Sequence, residues 1–344
     1  MSNDRKTPTM ADIARVMGVS PMTVSRAFKA DSLVSPETRE AILRTAEELG
    51  YVFDSTASNL RSQKSGFVAV TIPSINNANF ADTVGGLSDT LSKRDMQILL
   101  GYTNYNVEEE ERLIEQLLRR KPQAIVVTGG THTERARKLL QTVAIPVIET
   151  WDIPTDPIGH YVGFSNRAVM RDMVDHFVAL GCRRIAFIGG DVQRDSRGSE
   201  RRLGFIAAMQ AHDLDASRLI AAGSPPISMR EGANAMAKLI ELYPDTEAVV
   251  CVSDLAAYGA LTECRRLAIP VPERFSIGGF GNYEIGEVCV PTLTTINAFA
   301  REIGERTAQL ILDILDGTQP VPDVRILPQL IARDSSRRTQ SSAK

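Results

Sequence analysis

The first fifty residues carry three short stretches of helical periodicity. Thr9 precedes Asp12 in a capping-box spacing, and Met10, Ile13, Ala14 and Met17 then recur on one face. Gly18 predicts a stop, because glycine accepts the positive φ of a helix C-cap. Ser20-Pro21 opens a second helix, with a hydroxyl cap and a proline where no N–H is needed, and Val24, Ala27 and Phe28 form its inner face. Asp31 to Val34 reads as a loop. Ser35-Pro36 opens a third helix, with Ile42, Ala46 and Leu49 inward and Gly50 at its end. Three short helices with a tight first turn form the helix-turn-helix pattern, whose second helix lies in the major groove of duplex DNA. Pro21, Met22 and Arg26 fall off the Val24/Phe28 face, towards base edges. Thr9, Ser20, Thr23, Ser25 and Ser35 offer hydroxyls or helix N-termini to phosphates. On pattern alone, a small three-helix bundle for protein contact fits as well.

From Gly66 short apolar runs alternate with amphipathic stretches. Strands are predicted at Phe67–Ile72, Gln97–Leu100, Ala124–Val127 and Val147–Glu149, with helices over Phe80–Lys93, Glu108–Arg120 and Glu134–Val143 between them. After a turn-rich linker at Pro154–Gly159 the pattern repeats. Its strands are Tyr161–Gly163, Ile185–Ile188, Leu219–Ile220, Ala248–Val252 and Ser276–Gly279, and its helices Arg167–Leu180, Glu200–His212, Arg230–Leu242 and Leu255–Leu267. A helix over Phe299 to Asp316 and an extended segment, Val324–Ala332, follow. The fold class is α/β: a helical headpiece followed by two doubly wound lobes of parallel sheet, with any ligand in the cleft beyond the strand ends.

Composition excludes more than it selects. The 344 residues suffice for two or three domains, and the formal net charge is only -3. Residues 1–64 hold nine Lys/Arg against eight Asp/Glu, so no basic patch argues for nucleic acid and the case rests on geometry. No apolar run is long enough to span a membrane and MSNDRKTPTM lacks a signal core, which predicts a cytoplasmic protein without membrane contact. Cys182, Cys251, Cys264 and Cys289 are scattered, as reduced structural thiols are. No phosphate loop, dinucleotide fingerprint, nucleophile elbow or metal spacing is present. No catalytic residue, metal or cofactor is therefore expected.

The wording MADIARVMGVSPMTVSRAFK…VSPETREAILRTAEELGY closely resembles the headpiece of LacI/GalR-type transcriptional regulators, through DIA, GVS, TVSR, VSxxTR and the closing GY. The resemblance runs through nearly the whole chain. It implies a hinge at residues 54–65 that becomes helical when two copies meet on an operator, with Leu60 as a minor-groove wedge and Ala57 beside it. Leu60 packing against the core is the plainer alternative. Phe53 and Asp54 stand where the family usually has Pro and Asn. The implied organisation is a headpiece at 1–53, the hinge, a two-lobed periplasmic-binding-protein-like core at 66–334 and a disordered tail at 335–344. That tail is short and polar, which points to a homodimer on a pseudo-palindromic operator.

For the cleft, IPSINNANFADTV implies Asn79 and Phe80, VIETWD implies Trp151, and Arg-x-x-Gly-aromatic implies Arg201 as a fork for carboxylate or hydroxyl pairs. Packing in the core is the alternative for Phe80 and Trp151. Ser165, Ser253 and Gly281 stand where many members place acidic or amide groups. Asp254 is read either as a ligand or as a helix cap. His132, in GGTHT after a strand, is read as a surface-loop residue, with a contribution to the cleft as the alternative if it faces inward. Fewer acids beside a retained arginine make an anionic ligand easier to accept, hence a sugar-acid effector. The segments INNANFADTVGGLSDTL and NVEEEERLIEQLL resemble the gluconate-utilisation branch, which implies gluconate or a ketogluconate. Another sugar, a purine, a phosphoprotein partner or a corepressor role stay open. A secreted binding protein and a sugar-acid enzyme are the competing classes.

Overall fold

The computed structural model describes residues 7–28, 33–53, 65–190, 194–318 and 323–336. Two compact units divide the chain at Met1–Ser65 and Gly66–Lys344. The expectations for Asp54, Ala57 and Leu60 lie outside the described residues.

The first unit holds helices Met10–Met17, Pro21–Ala27 and Pro36–Leu49. Gly18 and Gly50 end the first and third in the left-handed region, at φ 65° and 67°. Ser20 Oγ accepts the Thr23 amide at 3.1 Å and Ser35 Oγ the Thr38 amide at 3.3 Å, each with proline next in the chain. The core is Ile13, Ala14, Val24, Ala27, Ile42 and Ala46, with Met10, Met17, Val19, Phe28 and Tyr51 packed around it. Leu49, expected inward, is instead exposed: the last turn of its helix runs past the edge of this small core. The Phe53 ring stacks on Phe28 at 4.7 Å, with 10° between the planes.

In the second unit, one parallel sheet orders its strands β2-β1-β3-β4-β5-β11: Gln97–Tyr102, Phe67–Ile72, Ala124–Thr128, Val147–Thr150, His160–Gly163 and Val324–Arg325. The other orders β7-β6-β8-β9: Leu219–Ala221, Ile185–Gly189, Ala248–Cys251 and Ser276–Gly278, again parallel. The central strands FVAVTI, AIVVT and AVVC are apolar almost throughout because helices cover both faces. A two-stranded antiparallel ribbon pairs β10 (Thr295–Asn297) with β12 (Gln329–Ile331).

Two boundaries differ from the local pattern. Tyr161–Gly163 was expected to start the second lobe, but β5 completes the first sheet beside β4. Parallel pairing depends on what lies beside a strand, and the hydrophobic pattern carries only what lies along it. Ser335 and Ser336, expected in the tail, are wholly buried. The Ser335 amide donates to Thr292 O at 2.8 Å and its hydroxyl to Ile277 O at 2.6 Å, while Ser336 Oγ bonds His176 Nε2 at 2.8 Å. Small hydroxyl residues can enter a core when each polar atom is matched in this way.

Candidate functional site

Two surfaces follow from this architecture. On the first unit, Pro21, Met22 and Arg26 share the exposed side of the second helix, with Met22 59% exposed. Thr9, Ser20 and Ser35 are exposed at the three helix starts, and Thr23 and Ser25 are half-buried. The Asp12 carboxylate takes the Thr9 hydroxyl at 2.7 Å and the Thr9 amide at 3.0 Å. These bonds hold its pKa down at about 2. Arg39 Nε donates to the Ala27 carbonyl at 3.0 Å and so fixes the third helix to the end of the second.

The second surface is a narrow cavity between the lobes, with about 30 Å³ of free space. Its walls come from segments that follow strand carboxyl ends: Asn77, Asn79 and Phe80 after β1, Tyr105 after β2 and Trp151 after β4. The second lobe adds Asp195, Arg197 and Arg201 after β6, Val252 and Ser253 after β8, and Phe280 and Tyr283 after β9. Both strand orders reverse direction here, between β1 and β3 and between β6 and β8, which opens a crevice in each lobe.

Arg201 is buried in the wall of this cavity. Its Nη1 donates to Asn166 Oδ1 at 3.2 Å, its guanidinium lies 4.3 Å from the Phe280 ring centre, and its Nε is buried without a hydrogen-bond partner among the described residues. Burial lowers its pKa, since the charged form loses hydration. Asn166 is fixed in turn, donating to the Trp151 carbonyl at 2.8 Å. Trp151 holds φ +69°, strained for an aromatic residue, and its indole N–H donates to Thr83 Oγ1 at 3.1 Å. Its ring meets Phe80 edge-on at 5.5 Å. Both aromatics therefore pack and line the cavity at once.

Further hydrogen bonds cross the cleft. Tyr283 Oη donates to Asn77 Oδ1 at 2.7 Å, and Arg197 Nη1 donates to the Thr128 carbonyl at 3.2 Å. Burial raises the pKa of Tyr105 to about 12 and pushes Tyr283 up as well. Both phenols are neutral donors at ordinary pH.

Of the expected cleft residues, Asn79, Phe80, Trp151, Arg201 and Ser253 line the cavity, and Ser165, Asp254 and Gly281 do not. Ser165 Oγ accepts the Ala168 amide at 3.1 Å, at the crossing between lobes. Asp254 is wholly buried and is not the cap, because Ser253 caps that helix. Its carboxylate accepts the Tyr283 amide at 2.8 Å and the Thr295 hydroxyl at 2.6 Å, so it positions Tyr283. Burial raises its pKa to about 6. Gly281, at φ 129°, carries the backbone beneath Tyr283 and Asn79. His132 is no surface-loop residue: its side chain is 1% exposed, with Nδ1 2.7 Å from Glu110 Oε2 and Nε2 3.5 Å from Glu149 Oε1. Tyr105, Asp195, Arg197, Phe280 and Tyr283 carry no sequence signal that marked them.

Residues 9–54 match the family described as bacterial regulatory proteins, lacI family, and residues 174–336 match the periplasmic binding protein-like domain. The transcriptional regulator GntR of Pseudomonas aeruginosa is 32% identical over 322 residues, 92% of this chain and 93% of its own. The regulator IdnR of Escherichia coli is 32% identical over 305 residues, 88% of this chain and 91% of its own. A LacI-family regulator of known structure from Silicibacter pomeroyi superposes with a TM-score of 0.91 at 30% identity, covering 96% of this chain and 100% of its own. No helix among the described residues is long and apolar enough to cross a membrane. The helix-turn-helix unit, the two-lobed core and these relatives agree: the chain belongs to the lacI family of bacterial regulatory proteins, as a DNA-binding transcriptional repressor and not an enzyme.

Proposed function

We propose that this repressor binds a pseudo-palindromic operator as a homodimer and releases it when a sugar acid, gluconate or a ketogluconate, occupies the interlobe cavity. Pro21, Met22 and Arg26 read base edges, while Thr9, Ser20, Thr23, Ser25 and Ser35 hold phosphates. The hinge at residues 54–65, with Ala57 and Leu60, carries the signal between the headpiece at 1–53 and the core from residue 66. The observation that carries the effector reading is Arg201, buried in the cavity with its Nε unpartnered among the described residues. A buried guanidinium donor without an acceptor is costly, and a carboxylate supplies that acceptor and its charge. The cavity is walled by both lobes, so a ligand there changes the free energy of their closure. Linkage then requires operator affinity to change, typically by about 1–3 kcal/mol.

Thermal unfolding with gluconate, 2-ketogluconate, 6-phosphogluconate, ribose and hypoxanthine tests this. A ligand at a hundred times its Kd adds about 2.7 kcal/mol of stability. Stabilisation by gluconate or 2-ketogluconate supports the reading. Stabilisation by ribose or hypoxanthine alone contradicts it.

A further inference from the structure

Asp195 immediately precedes the helix Ser196–Ala211, where a carboxylate normally caps a first-turn amide. It makes no side-chain cap bond. Its side chain is 13% exposed and lines the interlobe cavity. Oδ1 is buried with no hydrogen-bond partner among the described residues. Oδ2 lies where a Cβ at position 198 would collide with it, and Gly198 leaves that space open. The carboxylate can thus lie against the helix start. Arg197 Nη2 is 4.0 Å from Oδ1, near enough for charge attraction and too far for a hydrogen bond.

The same cavity therefore presents two unmet groups of opposite need. Arg201 Nε lacks an acceptor and Asp195 Oδ1 lacks a donor. One ligand can satisfy both if it carries an anionic oxygen and a hydroxyl. The charged lining residues are Arg197 and Arg201 against Asp195, two formal positive charges and one negative. The Asp152 carboxylate also lies near enough to Arg197 and Arg201 to feel their charge, so the site already holds two acids and accepts one ligand anion more readily than two. A second would face Asp195 in a space from which water is largely excluded, where like charges repel strongly.

We propose that Asp195 selects among sugar acids, accepting a hydroxyl proton from a ligand whose one carboxylate pairs with Arg201 and rejecting ligands with a second anionic group. The ligand class is a monoanionic polyhydroxy carboxylate. This rests on the effector reading above and adds the residue that sets its selectivity.

The test is calorimetric titration of the full-length protein with D-gluconate and with D-glucarate, the six-carbon analogue whose terminal hydroxymethyl is a second carboxylate. The wild type should bind gluconate at least about tenfold more tightly than glucarate. Asp195→Asn, or Asp195→Ser if the first variant folds poorly, should narrow or invert that ratio by about tenfold, with glucarate binding improved in absolute terms. An unchanged ratio in a variant that still binds gluconate overturns the proposal. So does loss of both ligands by a variant that melts like the wild type, since removing a repulsion cannot weaken the dianion. If the wild type binds neither of these ligands nor 2-ketogluconate, the effector reading falls and this proposal with it. If it binds both equally, only this proposal falls.

Discussion

Arg201 Nη1 donates to Asn166 Oδ1 at 3.2 Å, and Asn166 is itself fixed by the Trp151 carbonyl at 2.8 Å. A strained residue of the first lobe thus orients the buried cation of the second. Arg201→Ala should abolish the effector response while operator binding persists. Asn166→Ala should keep the charge and lose its orientation, weakening effector binding about tenfold or more, since a hydrogen bond to a charged group contributes about 1.5–3 kcal/mol. Calorimetric titration of the effector checks both. Unchanged affinity in Arg201→Ala removes that residue from the site.

Tyr283 closes the cleft differently. The Asn77 oxygen that takes its hydroxyl proton at 2.7 Å also caps the helix Ala78–Ser92 through the Asn79 amide at 3.1 Å. Tyr283→Phe removes the cross-lobe bond and leaves the cap. It should weaken effector binding by about 0.5–1.5 kcal/mol and leave ligand-free operator affinity unchanged. A loss of operator affinity in this variant, measured by gel shift without effector, would instead make the bond part of the DNA-binding state.

Arg26 stands on the exposed side of the second helix, away from the Val24 and Ala27 core. Arg26→Ala should cost specific operator binding about 1–3 kcal/mol and non-specific binding far less. Competition against random duplex reads the difference, and equal losses would mean that Arg26 touches only phosphate.

His132 gives a pH signature. Burial alone would push its imidazole down, but the bond to Glu110 and the nearby carboxylates of Glu110 and Glu149 outweigh that and raise it to about 9, from an ordinary value of 6.5. A pKa raised on folding means that protonation favours the native state. The stabilisation is complete below about pH 6.5 and is lost as pH rises through about 9. We expect urea unfolding to show a loss on the order of 3 kcal/mol across that window. His132→Gln should flatten it; an equal slope in the variant would assign the dependence elsewhere.

The headpiece was almost fully legible because its determinants are local: caps at Ser20 and Ser35, stops at Gly18 and Gly50, and one apolar face per helix. Phe53 was visible only as a departure from the family's proline. Its stack on Phe28 depends on where the chain returns after the third helix, which no periodicity encodes. The strands of the core were legible by their apolar runs, but β5 was assigned to the wrong lobe because sheet membership is non-local. In the cavity, Arg201 carried a family spacing. Asp195 and Arg197 sit in DSRGSE, a polar run that reads as solvated helix start until the other lobe is packed over it. Tyr105 and Tyr283 lie in irregular segments beyond strand ends, where sequence pattern is weakest.

The most direct measurement is operator affinity by fluorescence anisotropy, at fixed salt, with and without saturating gluconate or 2-ketogluconate. We predict that one of these raises the operator Kd by about 5- to 150-fold in the wild type and leaves it unchanged in Arg201→Ala. An operator Kd that neither sugar acid alters, in a protein that binds the operator specifically, would contradict the account.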